Sequence, residues 1–321
     1  MPLNTVLGWI IKKRIHQIEL FKQYPLEVQN EVRQDLIKRA ANTSWGLEHK
    51  FSSIKTLEDF KSAMPLQDYD DVKPYINRLI EGEQNLLWPT EIKWFAKSSG
   101  TTQDRSKFIP VSRESLEDCH YKGGKDLLSL YYNANPNSSL YKGMSLVIGG
   151  SSQLNEMRPD SYIGDLSSII IKNLPFWVEF RRTPNSNVAL LGEWERKIEQ
   201  MAEITMNEDV TNIAGVPSWT LVLFKRILEL TGKKSIGEVW PNLELFMHGG
   251  VNFAPYRQQF NDLVQLPKVK FFQSYNASEG YFGLQDQNDS DDMLLMLDYG
   301  IFFEFIPEEE WHQCDPRTIA L

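Results

Sequence analysis

Residues 269–280, VKFFQSYNASEG, pass from an apolar run into a polar loop. The run Val269–Gln273 predicts a strand, because short apolar runs bounded by polar turns are typical of buried strands. The loop carries Glu279, and a carboxylate at a strand end can hold a magnesium ion that bridges phosphate oxygens, since hard cations select oxygen ligands. Taken alone, the segment favours an ordinary solvated glutamate, because exposed glutamates are common.

Apolar runs and amphipathic stretches alternate on either side of this segment. The predicted strands are 92–96, 108–109, 144–148, 243–247, 293–297 and 301–306, and the predicted helices lie near 160–173, 193–206, 217–232 and 255–264. The first 90 residues are expected to be mostly helical, with a second helix opened by Pro25, since proline is tolerated in a first helical turn. This alternation favours an α/β fold with mixed sheets flanked by helices.

The composition excludes several classes of protein. With 41% apolar residues and a net charge of −9, the chain is a folded globular protein without the basic surface that a nucleic-acid partner requires. Two cysteines and five histidines form no disulfide framework and no zinc motif. The apolar run at 6–11 precedes its basic residues, the reverse of a signal peptide, and no apolar stretch approaches 18 residues. We therefore expect a cytoplasmic protein with no membrane partner.

Residues 98–107, SSGTTQDRSK, follow the strand predicted at 92–96. Small residues let backbone N–H groups approach a ligand, hydroxyls add donors and a lysine adds positive charge, which suits a polyphosphate. The pattern departs from the Walker motif, because the second glycine is missing and Lys107 precedes Phe108. The residues alone favour an ordinary Ser/Thr-rich turn over a phosphate-binding loop. The candidate ligands are Ser98, Ser99, Gly100, Thr101, Thr102 and Lys107.

A third candidate, Gly249-Gly250, follows the strand predicted at 243–247. Paired glycines at a strand end permit either a tight turn or the close approach of a flat aromatic base, and the turn is the commoner use. The neighbouring His248 is equally open, since a lone histidine is more often packed than catalytic.

In this order, the three loops resemble those of the acyl-acid amido synthetases related to the plant auxin-responsive hormone-conjugating enzymes, a branch of the adenylate-forming superfamily. Residues 98–107 resemble the family's Ser-Ser-Gly-Thr-Ser/Thr phosphate loop, and residues 275–280 resemble its Tyr-x-x-Ser-Glu motif. Residues 214–219, AGVPSW, and 302–307, FFEFIP, are similar to further landmarks, as is the helix around Lys13-Arg14-Ile15. The likeness spans nearly the whole chain.

The resemblance implies the large N-terminal domain of the adenylate-forming, firefly-luciferase-like fold over residues 1–321, with interleaved subdomains. Two family elements are missing: the smaller C-terminal domain and a Tyr-Arg-x-Gly-Asp element whose aspartate binds the ribose. Gln103, Asp104 and Arg105 also stand where the family's phosphate loop often has a glycine. The sequence ends on a newly begun apolar run at Ile319. We therefore expect a chain that is a piece of something longer.

The resemblance also implies a reaction: ATP-dependent adenylation of a carboxylic acid, then amide formation with an amino acid. A coenzyme A ligase and a non-catalytic nucleotide- or acid-binding protein are the alternatives. No base for the amine step is assigned. The implied roles are as follows: Ser98, Ser99, Gly100, Thr101, Thr102 and Lys107 bind the ATP phosphates; Glu279 holds Mg²⁺; Gly249, Gly250, Tyr275, Asn276, Ala277 and Ser278 bind the nucleotide; and Val216, Pro217 and Trp219 contact the acid.

Overall fold

A computed structural model of the protein describes residues 2–98, 107–150, 154–288, 290–313 and 316–321. The chain divides into two compact units, each built from separate segments. The first unit comprises Met1–Gly123, Glu156–Tyr162 and Met296–Leu321, and the second comprises Gly124–Asn155 and Ile163–Leu295.

Helices account for most of the first 81 residues and alternate with strands thereafter. A π-helical segment at Ser115–His120 precedes the sixth helix, and short 3₁₀ turns lie at Phe51–Ser53, Leu140–Lys142 and Glu308–Glu310. In the described residues the α-helices are α1 Pro2–Gln23, α2 Pro25–Ala40, α3 Ser44–Glu48, α4 Leu57–Ala63, α5 Tyr69–Glu81, α6 Tyr121–Ala134, α7 Leu166–Lys172, α8 Phe176–Glu179, α9 Ser186–Ala189, α10 Trp194–Thr205, α11 Pro217–Thr231, α12 Ile236–Val239 and α13 Arg257–Val264.

The strands form three sheets, whose orders are β2-β1-β5-β4, β11-β10-β9-β8-β7-β3-β6 and β12-β13. In the described residues they are β1 Trp94–Ser98, β2 Lys107–Val111, β3 Met144–Ile148, β4 Asn155–Arg158, β5 Ser161–Gly164, β6 Arg182–Thr183, β7 Val210–Gly215, β8 Leu245–Gly249, β9 Lys270–Ala277, β10 Gly280–Leu284, β11 Leu294–Leu295, β12 Glu304–Phe305 and β13 Ile319–Ala320. Mixed sheets flanked by helices confirm the α/β fold class.

In the first unit, polar contacts join the N-terminal helices to the segment that begins at Met296. The amide of Gln29 on α2 donates to the carbonyls of Leu297 and Ile301, and its oxygen accepts from the Phe303 N–H. On α1, Arg14 donates two hydrogen bonds to the Asp298 carboxylate, at 2.6 and 2.9 Å. Buried polar groups are stable only when they are paired. These contacts therefore hold together residues that are distant in sequence.

In the second unit, strands β6, β3, β7, β8 and β9 are parallel, and β10 and β11 extend the sheet in antiparallel fashion. Helices α10, α11 and α13 cover one face, where Phe224 and Phe260 pack with Phe246 of β8. On the other face, Tyr131 of α6 meets Phe272 of β9 edge-on. Sheets buried on both faces need near-continuous apolar strands, and the run Leu245-Phe246-Met247 of β8 is of this kind.

Several predicted bounds are confirmed and others are wrong. Pro25 and Pro217 open helices, and Gly232 ends α11 with φ +64°. The helix expected near 160–173 is instead strand β5 followed by α7, because residues 161–164 pair in the sheet beside β1. The strands expected at 293–297 and 301–306 shrink to two residues each, and β10 was not anticipated.

Candidate functional site

The carboxyl ends of four neighbouring parallel strands, β3, β7, β8 and β9, lie side by side in the second unit. Ile148 is in register with Gly215, Gly215 with His248, and Gly249 with Ser274. We call this row of strand ends the carboxyl edge. In open α/β sheets, ligands bind beyond the carboxyl ends of the strands, so the edge is a candidate binding site.

Close backbone packing makes glycine necessary at Gly249. A Cβ added there would lie 2.6 Å from the Ser274 carbonyl oxygen and 3.0 Å from its Oγ, closer than carbon approaches oxygen. Gly250 has φ +79°, a left-handed conformation that side chains disfavour, and its added Cβ would lie 3.7 Å from a Val216 methyl carbon. The pair therefore forms a tight turn whose backbone lies against β9 and Val216.

The end of β9 continues past the last residue of β8 and turns back into β10. Ala277 pairs with Gly280, so Ser278 and Glu279 form a two-residue turn. The Tyr275 side chain is 56% exposed, and its ring lies 5.2 Å from that of Phe282. Glu279 is exposed in the turn, and Asn276 Oδ1 lies 3.4 Å from the Cβ position of Gly249. Residues 275–280 thus form the end of β9 and the turn after it, with the Tyr275 ring and the Glu279 carboxylate exposed to solvent.

Residues 216–219 begin helix α11 directly beyond β7. Val216 caps the helix in an extended conformation, Pro217 is buried in the first turn, and Thr220 Oγ1 donates to the Val216 carbonyl. Trp219 is half-buried and packs against Trp194 of α10, with ring centroids 5.5 Å apart. Val216 thus lies next to the Gly249–Gly250 turn, and Trp219 packs against the apolar core.

His248 is a packed residue rather than an accessible base. Its ring stacks on that of Phe253, 4.0 Å away, and the side chain is buried. Burial and the neighbouring Arg257 charge lower the pKa of His248 to about 4, so the ring is neutral at pH 7. The packing alternative left open by the sequence is the one observed.

Lys197 on α10 is a residue of this edge that the sequence analysis missed. It is fully buried, and its ammonium donates to the carbonyls of Gly149 and Gly150, at 3.0 and 2.7 Å, just after β3. Burial lowers the pKa of Lys197 to about 8, against an opposing effect of Asp165. One signal could have found it: in the helix predicted at 193–206, Lys197 shares the apolar stripe of Trp194, Ile198 and Met201.

The first unit contains the two described ends of the predicted phosphate loop. Ser98 ends β1 and pairs with Lys107, the first residue of β2. Lys107 Nζ lies 5.3 Å from the centre of the Tyr69 ring, whose hydroxyl accepts from the Phe108 N–H at 2.9 Å. Ser99, Gly100, Thr101 and Thr102 lie outside the described residues, so their predicted contacts stay predictions.

In the part of the chain that the structure describes, no group of three or more His, Cys, Asp or Glu side chains is placed to hold a metal ion. No helix in the same ranges combines the length and apolar character needed to cross a membrane.

Comparison with protein families and curated proteins gives a consistent result. The GH3 family N-terminal domain matches residues 14–269. The chain is 30% identical over 107 residues to the indole-3-acetic acid-amido synthetase GH3.5 of Arabidopsis thaliana, covering 33% of this chain and 18% of that protein. It is 31% identical over 108 residues to the jasmonoyl-L-amino acid synthetase JAR4 of Nicotiana attenuata, covering 32% and 18%. The matched stretches thus span less than a fifth of each relative.

Solved structures show the same fold. The acyl acid amido synthetase AtGH3.15, in complex with 2,4-DB, superposes with a TM-score of 0.75 at 16% identity, covering 92% of this chain and 60% of that one. A 2-hydroxyisobutyryl-CoA ligase superposes with a TM-score of 0.53 at 12% identity, covering 88% and 55%. The predicted fold, that of the N-terminal part of adenylate-forming enzymes, is confirmed.

Proposed function

This chain belongs to the GH3 family, and from that premise we propose that it activates a carboxylic acid with ATP and passes the acyl group to an amino acid. The observation that carries the proposal is the carboxyl edge, where the Gly249–Gly250 turn, the Tyr275 strand end and the Val216–Trp219 helix start are neighbours on adjacent strands. Cytoplasmic location and small-molecule partners belong to the same proposal.

The edge suits a nucleotide for two reasons. The Gly249–Gly250 turn offers a flat backbone surface without side chains, against which an aromatic base can lie closely. The exposed Tyr275 ring is a stacking partner for that base, since aromatic rings stack favourably when offset. We propose that adenine lies against these groups, with the Asn276–Ser278 segment contacting the nucleotide beside it.

The acid is proposed to lie beyond β7. Val216, Pro217 and Trp219 present apolar surface there, and ligand pockets are lined mainly by such groups. In the first step a carboxylate oxygen attacks the α-phosphorus of ATP, forming an acyl adenylate and releasing pyrophosphate. In the second, the amine attacks the acyl carbon, releasing AMP and a proton. The chain's contribution to the first step is positioning and charge stabilisation.

Magnesium is proposed to accompany the ATP phosphates near Glu279. The fit is chemically reasonable, because Mg²⁺ keeps several waters and is usually held by one or two carboxylates together with substrate phosphates. Glu279 supplies one exposed carboxylate in a turn of the hairpin. When bound, the ion offsets negative charge that accumulates on the phosphates.

Lys107 and Ser98 are proposed to bind phosphate as well, and this assignment rests on the sequence motif. Because Lys107 also lies over the Tyr69 ring, its replacement has a structural control: Tyr69→Leu removes the ring contact and leaves the lysine charge in place. Lys107→Met is expected to weaken ATP binding about tenfold at unchanged melting temperature, the loss of one charge-assisted contact. ATP binding that is unchanged in Lys107→Met would remove this residue from the proposal.

Acid-dependent exchange of labelled pyrophosphate into ATP tests the proposed reaction. A panel of aryl and alkyl carboxylic acids is supplied one at a time, and at least one should give exchange that requires Mg²⁺. Product analysis with the twenty amino acids, and with coenzyme A in parallel, then identifies the acceptor. An amide product supports the proposal, and a thioester would identify a coenzyme A ligase. ATP binding without exchange for any acid would indicate a binding protein and contradict the proposal.

A further inference from the structure

We propose that Lys197 is a positioning residue of the carboxyl edge: its ammonium group fixes the Gly149–Gly150 segment against α10 and so sets where that segment lies beside the acid-contacting residues. The inference rests on the proposed function for the identity of the ligand. It assigns a role to a side chain that has no place in the reaction steps above.

The Lys197 ammonium group is buried and donates two hydrogen bonds. Lys197 has no exposed surface, and its two hydrogen bonds go to consecutive backbone carbonyls, those of Gly149 and Gly150. A buried charge is costly unless it is hydrogen-bonded, and bonds from a charged donor are stronger than neutral ones. Since the pKa of Lys197 is about 8, the group stays protonated at pH 7 and both bonds remain charge-assisted.

The Gly149–Gly150 segment also contacts α7 and the residue before it. The Gly150 N–H donates to Ser167 Oγ at 3.0 Å, and a Cβ added at Gly150 would lie 2.4 Å from an Asp165 carboxylate oxygen. A Cβ added at Gly149 would lie 3.2 Å from the terminal methyl of Ile171. Two carbonyls, one N–H and the Cα of Gly150 thus all have fixed neighbours. Buried backbone groups need hydrogen-bond partners, and Lys197 supplies the partner of both glycine carbonyls.

The Gly149–Gly150 segment lies beside the proposed acid-contacting residues. Ile148, which precedes Gly149, is in register with Gly215, which precedes Val216. Neighbouring strands are about 4.8 Å apart, so the segment begins one strand spacing from the start of α11. Gly215 itself has no room for a side chain, since an added Cβ would lie 3.0 Å from the Ile148 Cβ.

Helix α10 links the Gly149–Gly150 segment to the Trp194–Trp219 pair. Lys197 lies one helical turn after Trp194, so both side chains leave the same face of α10. Trp194 contacts Trp219 on α11, while Lys197 binds the Gly149–Gly150 segment after β3. A displacement of this segment relative to α10 therefore changes its position relative to Trp219. This geometry predicts an effect on acid binding and little effect on ATP binding.

The test compares Lys197→Met, which removes the donor, and Lys197→Gln, which keeps a shorter neutral donor, with Lys225→Met, which replaces an exposed lysine on α11. Melting temperatures establish that each variant is folded. Hydrogen exchange is then measured on the peptide containing Gly149 and Gly150. Pyrophosphate exchange gives the KM for ATP and the KM for the acid, with benzoate and octanoate as aryl and alkyl probes.

We expect Lys197→Met to raise the KM for the acid at least tenfold, to leave the KM for ATP within twofold, and to speed Gly150 amide exchange at least tenfold. Lys197→Gln should give values of the acid KM and of the Gly150 exchange rate between those of Lys197→Met and the unaltered protein. Lys225→Met should match the unaltered protein in both. Equal changes in both KM values, or a lower kcat with neither KM changed, would mean that Lys197 only stabilises the fold. Unchanged Gly150 exchange in a folded variant would also overturn the inference, even if the unaltered protein shows no pyrophosphate exchange and the proposed function is itself wrong.

Discussion

Replacing Gly249 by alanine tests the carboxyl edge through a single methyl group. The added carbon would lie 2.6 Å from the Ser274 carbonyl oxygen and 3.0 Å from Ser274 Oγ, so β8 and β9 must separate or tilt at their carboxyl ends. Overpacking of this kind costs about 1–3 kcal/mol. Taking about 2 kcal/mol, and about 2–4 °C per kcal/mol for a domain of this size, the melting temperature should fall by roughly 4–8 °C.

Separation of β8 from β9 would also displace the Gly249–Gly250 turn against which the adenine is proposed to lie, so ATP affinity should fall as well. A loss of about 1.4 kcal/mol corresponds to a tenfold weaker dissociation constant. Titration calorimetry with Mg-ATP at 15 °C, well below either melting transition, measures this loss in the folded protein. Gly124→Ala on α6 is the matched control, because a Cβ added there meets nothing within 4 Å. That control should keep ATP affinity and gain about 0.5–1 kcal/mol of stability from lower chain entropy. If Gly249→Ala bound ATP as tightly as the control, the nucleotide would not lie against this turn.

Three further outcomes follow from the charged groups. Glu279→Gln should lower kcat for pyrophosphate exchange about 100-fold, the loss typical of one charge-stabilising group, and a rate within threefold of the unaltered protein would place the metal elsewhere. Burial alone would raise the pKa of Asp298, but Arg14 and Lys122 outweigh this and lower it. The contribution of Asp298 to the free energy of unfolding is therefore complete above the pKa range of carboxyl groups in the unfolded chain, and it is lost as the pH falls below that range. Urea unfolding should show Asp298→Asn to be about 3 kcal/mol less stable at pH 7, with the difference shrinking towards pH 3, and a pH-independent difference would refute the ion-pair explanation. The pKa of Lys197 is about 8 in the folded protein, below the ordinary value of 10.5, so between these two pH values the unfolded chain binds one more proton than the folded one. The free energy of unfolding of the unaltered protein, relative to that of Lys197→Met, should therefore rise by up to about 1.4 kcal/mol per pH unit from pH 8 to 10.5. A difference that does not change with pH would show that the lysine is not buried as described.

Local signals in the sequence were sufficient for the elements whose ends are marked by particular residues. Pro217 and Gly232 bound α11, because proline suits a first helical turn and glycine adopts the left-handed conformation at its end. Strand β3 matches its prediction because a short apolar run between turns has few other uses. The helix predicted near 160–173 includes residues 161–164. Only their pairing in the sheet with β1, distant in sequence, makes them a strand.

The candidate site was likewise only partly predictable from local sequence signals. The glycine pair at Gly249 and the strand end at Tyr275 could be proposed from local motifs. Their adjacency depends on the order β3-β7-β8-β9, which is a long-range property that no local motif encodes. Lys197 was missed because a lysine in a helix is normally exposed, and its carbonyl partners are 47 and 48 residues earlier in the chain.

Photolabelling with 2-azido-ATP, followed by mapping of the modified peptides, tests the central claim most directly. The azide sits on the adenine ring, so it labels the residues that surround the base. The account predicts Mg²⁺-dependent labelling, competed by ATP, on the peptides that contain Gly249–Gly250 or Tyr275–Ala277. Saturable labelling confined to any other part of the chain would contradict it, whatever activity the protein proves to have.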